Sequence, residues 1–176
     1  MAVWATSESG LDWQLAQNGF CSAFHRRTVL DEAVAWLAQS GDRIVRFDAA
    51  GWVDPRVLHD DVAAGLDFPG YYGRNLDALN DCLGDVAELA YGWTAADRGL
   101  VLVLDRFDAF QLADAATAGA ILDMVEDAGR RAALFGNRLL CLVHSDDPDI
   151  KLAPVGGRAV QWNPAEWLRS RRSPDA

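Results

Sequence analysis

Two nearly uninterrupted apolar runs, Leu100–Leu104 and Leu139–His144, are the clearest hydrophobic pattern in the chain. Continuous apolar runs of this length are typical of strands that are covered on both faces, as in parallel sheets. Arg43–Phe47 predicts a further strand. Stretches with helical periodicity separate these segments, in the order strand, helix, helix, strand, helix, strand. This alternation predicts an α/β fold with a parallel sheet and helical crossovers.

Three helices are predicted between and beside these strands. The first follows Asp54-Pro55, where an N-cap residue precedes a proline at the first helical position, and it ends near Pro69. The second runs from about Asn75 to Ala90. The third covers about residues 115–135, and a Gly-Asn pair directly after it suits the end of a helix.

The two ends of the chain carry weaker patterns. Gln17-Asn18-Gly19 lies between two short apolar segments and predicts a hairpin turn near the N-terminus. A helix is predicted from Thr28, with Asp31 three residues later as in a capping box. Near the C-terminus, Arg158–Trp162 predicts a short strand, and Asn163-Pro164 begins a short helix.

Composition narrows the class of function. The chain has 176 residues, 51% of them hydrophobic, which suffices for one domain with a substantial core. Its formal net charge of −10 argues against direct binding to nucleic acid and favours a basic partner, although surplus acids also aid solubility. No apolar run is long enough to span a membrane, and residues 1–10 lack the pattern of a secretory signal. The widely spaced Cys21, Cys82 and Cys141 fit reduced thiols in a cytoplasmic protein.

The second predicted helix carries a row of acids on one face. Asp77, Asp81 and Asp85 recur every four residues, on a different face from the apolar stripe. No lysine or arginine occurs between Arg74 and Arg98. Like charges at this spacing cost a helix roughly 0.2–0.5 kcal/mol per pair, so the row gains nothing within the helix. A solvated face and a surface that fits a cationic pocket both remain open on spacing alone.

The segment before this helix is rich in residues that define a loop. Pro69, Gly70 and Gly73 favour a fixed turn, and Tyr71 and Tyr72 place two aromatic rings beside the acidic row. We expect one tyrosine to pack on the core and the other to stay partly exposed. The next polar residue, an asparagine, suits the N-cap of the helix.

This loop and helix form an extended sequence motif. The pattern Tyr-Tyr-Gly-x-Asn-Leu-Asp-Ala-Leu, followed by x-Asp-Cys-Leu, occurs here as Tyr71, Tyr72, Gly73, Asn75, Leu76, Asp77, Ala78, Leu79, Asp81, Cys82 and Leu83. It resembles the signature of the barstar family, intracellular inhibitors of a secreted bacterial ribonuclease. The order of strands and helices from Arg43 to His144 is also similar to that of barstar.

The resemblance implies a barstar-like α/β fold with a small three-stranded parallel core sheet flanked by helices. Residues 41–147 would form the barstar-like domain. Residues 1–40 would add a hairpin and a helix packed on that core, and residues 148–176 would add a short strand and a helix.

The resemblance also implies a function. The protein would be a non-catalytic inhibitor of the antitoxin or immunity type, without cofactor or metal, and monomeric when free. Its acids would meet the arginines and lysines with which a bacterial ribonuclease holds RNA phosphates. By position, the contacts would be Tyr71, Asn75, Asp77 and Asp81. Asp81 would be the central anchor, and Tyr71 would stack on a side chain of the nuclease active site.

Three further positions concern the rim of this interface. Asn80 stands where the family has a tryptophan, and Asp85-Val86 replaces a Gly-Trp pair, so the identity of the nuclease stays open. Asp85 would add another acidic contact. Asp127 aligns with a family acid on the long helix. Because Arg130 and Arg131 lie within one turn of it, partner contact and intrahelical pairing both remain open.

Two other functions are compatible with the residues. The acidic helix could bind a basic protein that is not a nuclease. Alternatively, His144, which follows a buried strand, could serve a small hydrolase with nearby acids. A hydrolase would need a pocket with a nucleophile, and the sequence contains no Gly-x-Ser-x-Gly elbow. His59 lies beside two aspartates, but no second histidine has the spacing of a metal ligand.

Overall fold

The computed structural model describes residues 10–172, which build a five-stranded sheet in the order β2-β3-β4-β1-β5, with all neighbouring strands parallel. The strands are β1 (Cys21–Phe24), β2 (Arg43–Asp48), β3 (Leu100–Asp105), β4 (Leu139–His144) and β5 (Gln161–Trp162). The helices are α1 (Leu11–Ala16), α2 (Arg27–Gln39), α3 (Pro55–Gly65), α4 (Leu76–Ala87), α5 (Phe107–Ala113) and α6 (Ala115–Leu134). Short 3-10 helices occupy Ala49–Val53, Pro164–Glu166 and Arg169–Arg171. The expectation about a secretory signal in residues 1–10 concerns a segment that lies almost wholly outside the described residues.

The two continuous apolar runs form the central strands, as predicted. Every residue of β3 and β4 is buried, because successive side chains point to opposite faces and helices cover both. Leu102 and Leu104 pack in a core with α3, α4, α5 and α6. Val101 and Val103 pack in a second core with α1 and α2. The predicted α/β class and parallel sheet are therefore confirmed. The three predicted core strands are β2, β3 and β4, and β1 and β5 extend the sheet to five strands.

The predicted N-terminal hairpin is wrong. The residues before the turn form α1, and Asn18-Gly19 leads from this helix into β1. β1 pairs in parallel with β4, with Cys21 opposite Cys141, and does not pair with the segment preceding it. The buried carboxylate of Glu126 accepts the backbone N–H groups of Phe20 (2.7 Å) and Cys21 (3.1 Å). This long-range contact anchors the start of β1 to α6, the helix that precedes β4 in the chain.

Other local signals have mixed outcomes. Helix α2 begins at Arg27 without a side-chain hydrogen bond at its N-cap, so the predicted capping box is wrong. Asp31 instead accepts a hydrogen bond from Arg46 on β2 (3.0 Å). The short C-terminal strand and helix are confirmed as β5 and Pro164–Glu166. Among residues 10–172, no helix combines the length and apolar character needed to cross a membrane.

Candidate protein-binding face

Helix α4 begins where the sequence predicts. Asn75 has an extended backbone, and its side-chain oxygen accepts the N–H of Ala78 (2.9 Å), which satisfies one of the free donors of the first turn. Leu79, Leu83 and Val86 are buried in the main core, where α4 packs on α6. This packing fixes the rotation of the helix and directs the opposite face, with its acids, toward solvent.

The first half of α4 carries two carboxylates that the fold leaves free. Asp77 and Asp81 are both exposed. Within residues 10–172, neither side chain has a hydrogen bond or an ion pair. Asp77 lies in the first turn, where the helix dipole favours a negative charge, but Asp81 lies one turn further and gains little from it. We call Tyr71, Asn75, Asp77, Asn80 and Asp81 the candidate face.

The second half of α4 differs, because its acids are engaged within the fold. Asp85 accepts a hydrogen bond from the hydroxyl of Tyr91 (3.1 Å). Burial, together with Cys82 and Asp85, raises the pKa of Tyr91 well above its usual range, so this hydroxyl remains a donor. Glu88 pairs with Arg131 of α6 (2.7 Å). The role of Asp85 as a partner contact stays a prediction, for which its bond to Tyr91 would have to be shared or broken.

Arg131 is a cation that the local sequence does not reveal. The sequence around α4 lacks lysine and arginine, but Arg131 crosses from α6 and lies over Gly84 to reach Glu88. A Cβ at Gly84 would lie 3.0 Å from the Arg131 guanidinium, so the absence of a side chain at this position eases the close approach. Within the described residues, the negative charge of the acidic row is therefore compensated in the second half of the helix but not in the first.

The loop before α4 is held by two adjacent residues of α3. The hydroxyl of Tyr72 bonds to Nδ1 of His59 (2.5 Å), and its ring packs against Phe68. Burial raises the pKa of Tyr72 to about 12, whereas burial and the nearby Arg74 lower the pKa of His59, so the tyrosine donates to the neutral imidazole. Arg74 pairs with Asp60. The loop is thus fixed at two points on either side of a glycine.

Tyr71 is the exposed tyrosine of the pair. Its side chain is 81% exposed, whereas Tyr72 is partly buried against the core. This confirms the expected division between the two rings. An aromatic side chain left in solvent, on the loop that leads into the acidic helix, costs the fold apolar burial and is better suited to contact with another molecule.

A groove between α4 and α6 lies between Asn80 of the candidate face and Asp127, the predicted contact residue on α6. It has a volume of about 280 Å³ and is lined by Asn80, Asp123, Met124, Asp127, Arg130 and Gly156. The predicted alternative, pairing of Asp127 with its neighbouring arginines, is not seen: Arg130 lies 3.8 Å from Glu126, and Arg131 binds Glu88. Within residues 10–172, the exposed carboxylate of Asp127 has no ion-pair partner.

The surroundings of His144 differ from the active site that a hydrolase needs. Its side chain is 1% exposed. Its ring lies 3.4 Å from the backbone N–H of Arg106, 3.5 Å from the guanidinium of Arg27 and 3.8 Å from Asp146. Burial and Arg27 lower its pKa. These neighbours hold a neutral ring in place and present no nucleophile to it. Within the described residues, no group of three or more acids, histidines or cysteines is arranged to bind a metal.

Comparison with known proteins agrees with the motif and the fold. A family model described as Barstar (barnase inhibitor) matches residues 43–144. A protein of Bacillus subtilis (strain 168) named "Putative ribonuclease inhibitor YrdF" is 40% identical over 86 residues, which are 49% of this chain and 85% of that relative. The matched range runs from β2 to the end of β4 and contains the whole candidate face. The chain belongs to the barstar family.

Proposed function

We propose that this protein is an antitoxin or immunity-type inhibitor that blocks the active site of a bacterial ribonuclease with the candidate face. Membership of the barstar family and the relative named as a ribonuclease inhibitor support a ribonuclease-inhibitor-like role. The observation that carries the proposal further is the state of Asp77 and Asp81, which are exposed and unpaired within the described residues.

The chemistry of the partner follows from this arrangement. A ribonuclease holds the phosphates of its substrate with arginine and lysine side chains. Two carboxylates one helical turn apart, fixed on a rigid helix, offer the same negative charge to those side chains as the phosphates they displace. Complementary charge also accelerates encounter and disfavours wrong partners, as in the barnase–barstar pair itself.

The fold lowers the cost of binding because the candidate face is already ordered. Asn75 fixes the start of α4, and His59 and Asp60 fix the loop that presents Tyr71. A backbone segment that is ordered before binding loses less conformational entropy on association. In this account Asp81 is the central anchor, Asp77 and Asn75 extend the contact, and Tyr71 stacks on a side chain of the nuclease active site.

The remaining parts of the proposal concern the protein's setting. It acts without catalysing a reaction and without a cofactor, since its role is to occupy a site on another protein. We place it in the cytoplasm of a bacterium, where it would protect the cell from a nuclease, and as a monomer before it meets its partner. The three cysteines, which are free and buried, are compatible with a reducing compartment.

Inhibition of a panel of small bacterial ribonucleases, barnase included, tests this function. We expect the wild-type protein to inhibit at least one of them. Asp81→Ala should weaken that complex by at least about 2 kcal/mol, a hot-spot scale that barstar itself helped to define. Glu32→Gln, which removes one exposed charge from α2 on the other side of the sheet, is the control and should leave inhibition unchanged. Equal inhibition by wild type and Asp81→Ala would refute the proposal.

A further inference from the structure

The turn Val155–Arg158 lies beyond residues 43–144, yet it borders the candidate face. We propose that this turn determines which ribonuclease is bound: with α4 and α6 it forms a groove that accepts a lysine or arginine side chain of the nuclease. The inference rests on the proposed function and adds to it a second contact, separate from the acids that occupy the nuclease active site.

The turn is rigid. The N–H of Val155 donates to the carbonyl of Arg158 (2.8 Å), and the N–H of Arg158 donates to the carbonyl of Val155 (2.9 Å). Gly156 and Gly157 have φ angles of 54° and 75°, the left-handed geometry that a two-residue reversal requires. Val155 is 3% exposed and packs in the main core. The chain thus presents a fixed loop tip at this place on the surface.

The turn is also bound to α6. The N–H of Gly156 donates to Oδ1 of Asp123 (2.6 Å). The guanidinium of Arg130 lies directly against Gly156 and occupies the place that a Cβ at this position would take. Asp123 and Arg130 are almost two turns apart on α6, and Asp127 lies between them. The two contacts therefore hold the turn above Asp127 and make it one wall of the groove.

The opposite wall is Asn80, which continues directly into the candidate face. Asn80 precedes Asp81 in the chain, so a protein bound at Asp81 passes over the groove. Asn80 is exposed and its side chain is short, so the groove beside it is open to solvent. Its volume is about 280 Å³, enough for one long side chain. Continuity with the candidate face identifies the occupant as part of the same ribonuclease.

The lining of the groove selects a cationic side chain. Asp127 supplies an exposed carboxylate without an ion pair in residues 10–172. Asp123 is engaged with the turn, and the one cation of the lining, Arg130, is held beside Glu126 and Gly156. Met124 offers a flexible apolar surface to the methylene groups of a lysine or arginine. An acidic side chain would meet Asp127 and be repelled.

Two matched pairs of variants test the inference with the ribonuclease of the panel that the wild-type protein inhibits most strongly. Gly157→Asn adds a side chain at the turn, where φ is 75° and nothing lies within 4 Å of the added Cβ. Its control is Gly136→Asn, which has φ of 76° and equally open space at the end of α6. Asp127→Lys is paired with Glu32→Lys, which makes the same charge change on α2.

We expect Gly157→Asn and Asp127→Lys each to raise the Kd of the complex by about tenfold, because an added side chain would obstruct the groove and a reversed charge would repel the cation. The two controls should change it by less than about twofold. Melting temperatures of all four variants establish that the fold is kept. If either test variant matches its control while Asp81→Ala still weakens inhibition, the inference is wrong and the proposed function stands. If the wild-type protein inhibits no ribonuclease, or Asp81→Ala has no effect, both fail.

Discussion

Carboxylates at the two ends of the sheet are paired with arginines, whereas within residues 10–172 those on the first half of α4 are unpaired. At the amino end of the strands, Asp12 and Asp42 both bind the guanidinium of Arg138, and all three side chains are buried. At the carboxyl end, Asp105 binds Arg27 and Arg46. Asp77 and Asp81, by contrast, have no such partner within the described residues.

The difference shows where the surplus of negative charge resides. The chain has 26 acids but only 16 lysines and arginines, so the negative charges cannot all be neutralised within the chain. Arginines pair with the acids that burial would penalise most, because an uncompensated buried charge is costly, although burial still outweighs Arg138 and raises the pKa of Asp42. The unpaired acids beside Tyr71 remain exposed, where they cost little and are available to a partner.

Replacement of Arg138 should have the largest effect on the compensated side of this comparison. Arg138→Met would leave Asp12 and Asp42 buried without their cation and should lower the free energy of unfolding by about 3–5 kcal/mol. Urea denaturation of this variant and of Arg171→Met, an exposed arginine, provides the measurement and its control. A loss below about 1 kcal/mol would show that these acids do not depend on Arg138.

Replacement of Asp105 should have a smaller effect, because its partners are about two-fifths exposed. Asp105→Asn should cost about 1–2 kcal/mol of unfolding free energy after allowance for solvent screening. Inhibition of the ribonuclease should be unaffected, since Asp105 lies outside the candidate face. A weaker complex with unchanged stability would contradict the expectation that Asp105 serves folding rather than binding.

The stability that Asp105 contributes should depend on pH in a definite direction. Burial raises the pKa of Asp105, but Arg46 and Arg27 outweigh it, and the pKa lies below the usual value. A depressed carboxylate pKa stabilises the fold above the unfolded pKa, and this stabilisation is lost as pH falls through the folded pKa. The difference between wild type and Asp105→Asn should therefore shrink below about pH 4.

The smallest effect is expected from His144. Its pKa is lowered by burial and by Arg27, so the fold favours the neutral ring. The unfolded ring takes up a proton from about pH 6.5 downward, and stability should then fall by at most about 1.4 kcal/mol per pH unit, the slope for one proton. His144→Gln should flatten the curve between about pH 7 and 5. An unchanged slope would assign it to another group, such as His59.

Patterns that depend on neighbouring residues were predictable from the sequence. The continuous apolar runs predict β3 and β4, and Asn75 with the leucine spacing predicts α4 and its N-cap. The hairpin failed because the neighbour of β1 is β4, about 120 residues later, and no local pattern records that pairing. The capping box failed because Asp31 is bound by Arg46 from another element.

The candidate site likewise has a part that the sequence predicts and a part that depends on tertiary contacts. Its residues were predictable from the motif, but the difference between the two halves of α4 was not. That difference depends on Arg131 crossing from α6 and on Tyr91 folding back after α4. The helices α2 and α4 each carry acids, and only tertiary contacts decide which of these acids are left for a partner.

The most direct test compares stability and inhibition in one variant, Asp77→Asn combined with Asp81→Asn. Our account predicts an unfolding free energy within about 0.5 kcal/mol of wild type, since lost dipole stabilisation and relieved repulsion nearly cancel. It predicts inhibition of the ribonuclease weakened by about 100-fold or more. A variant that loses stability while inhibiting as strongly as wild type would contradict the claim that these carboxylates serve binding rather than folding.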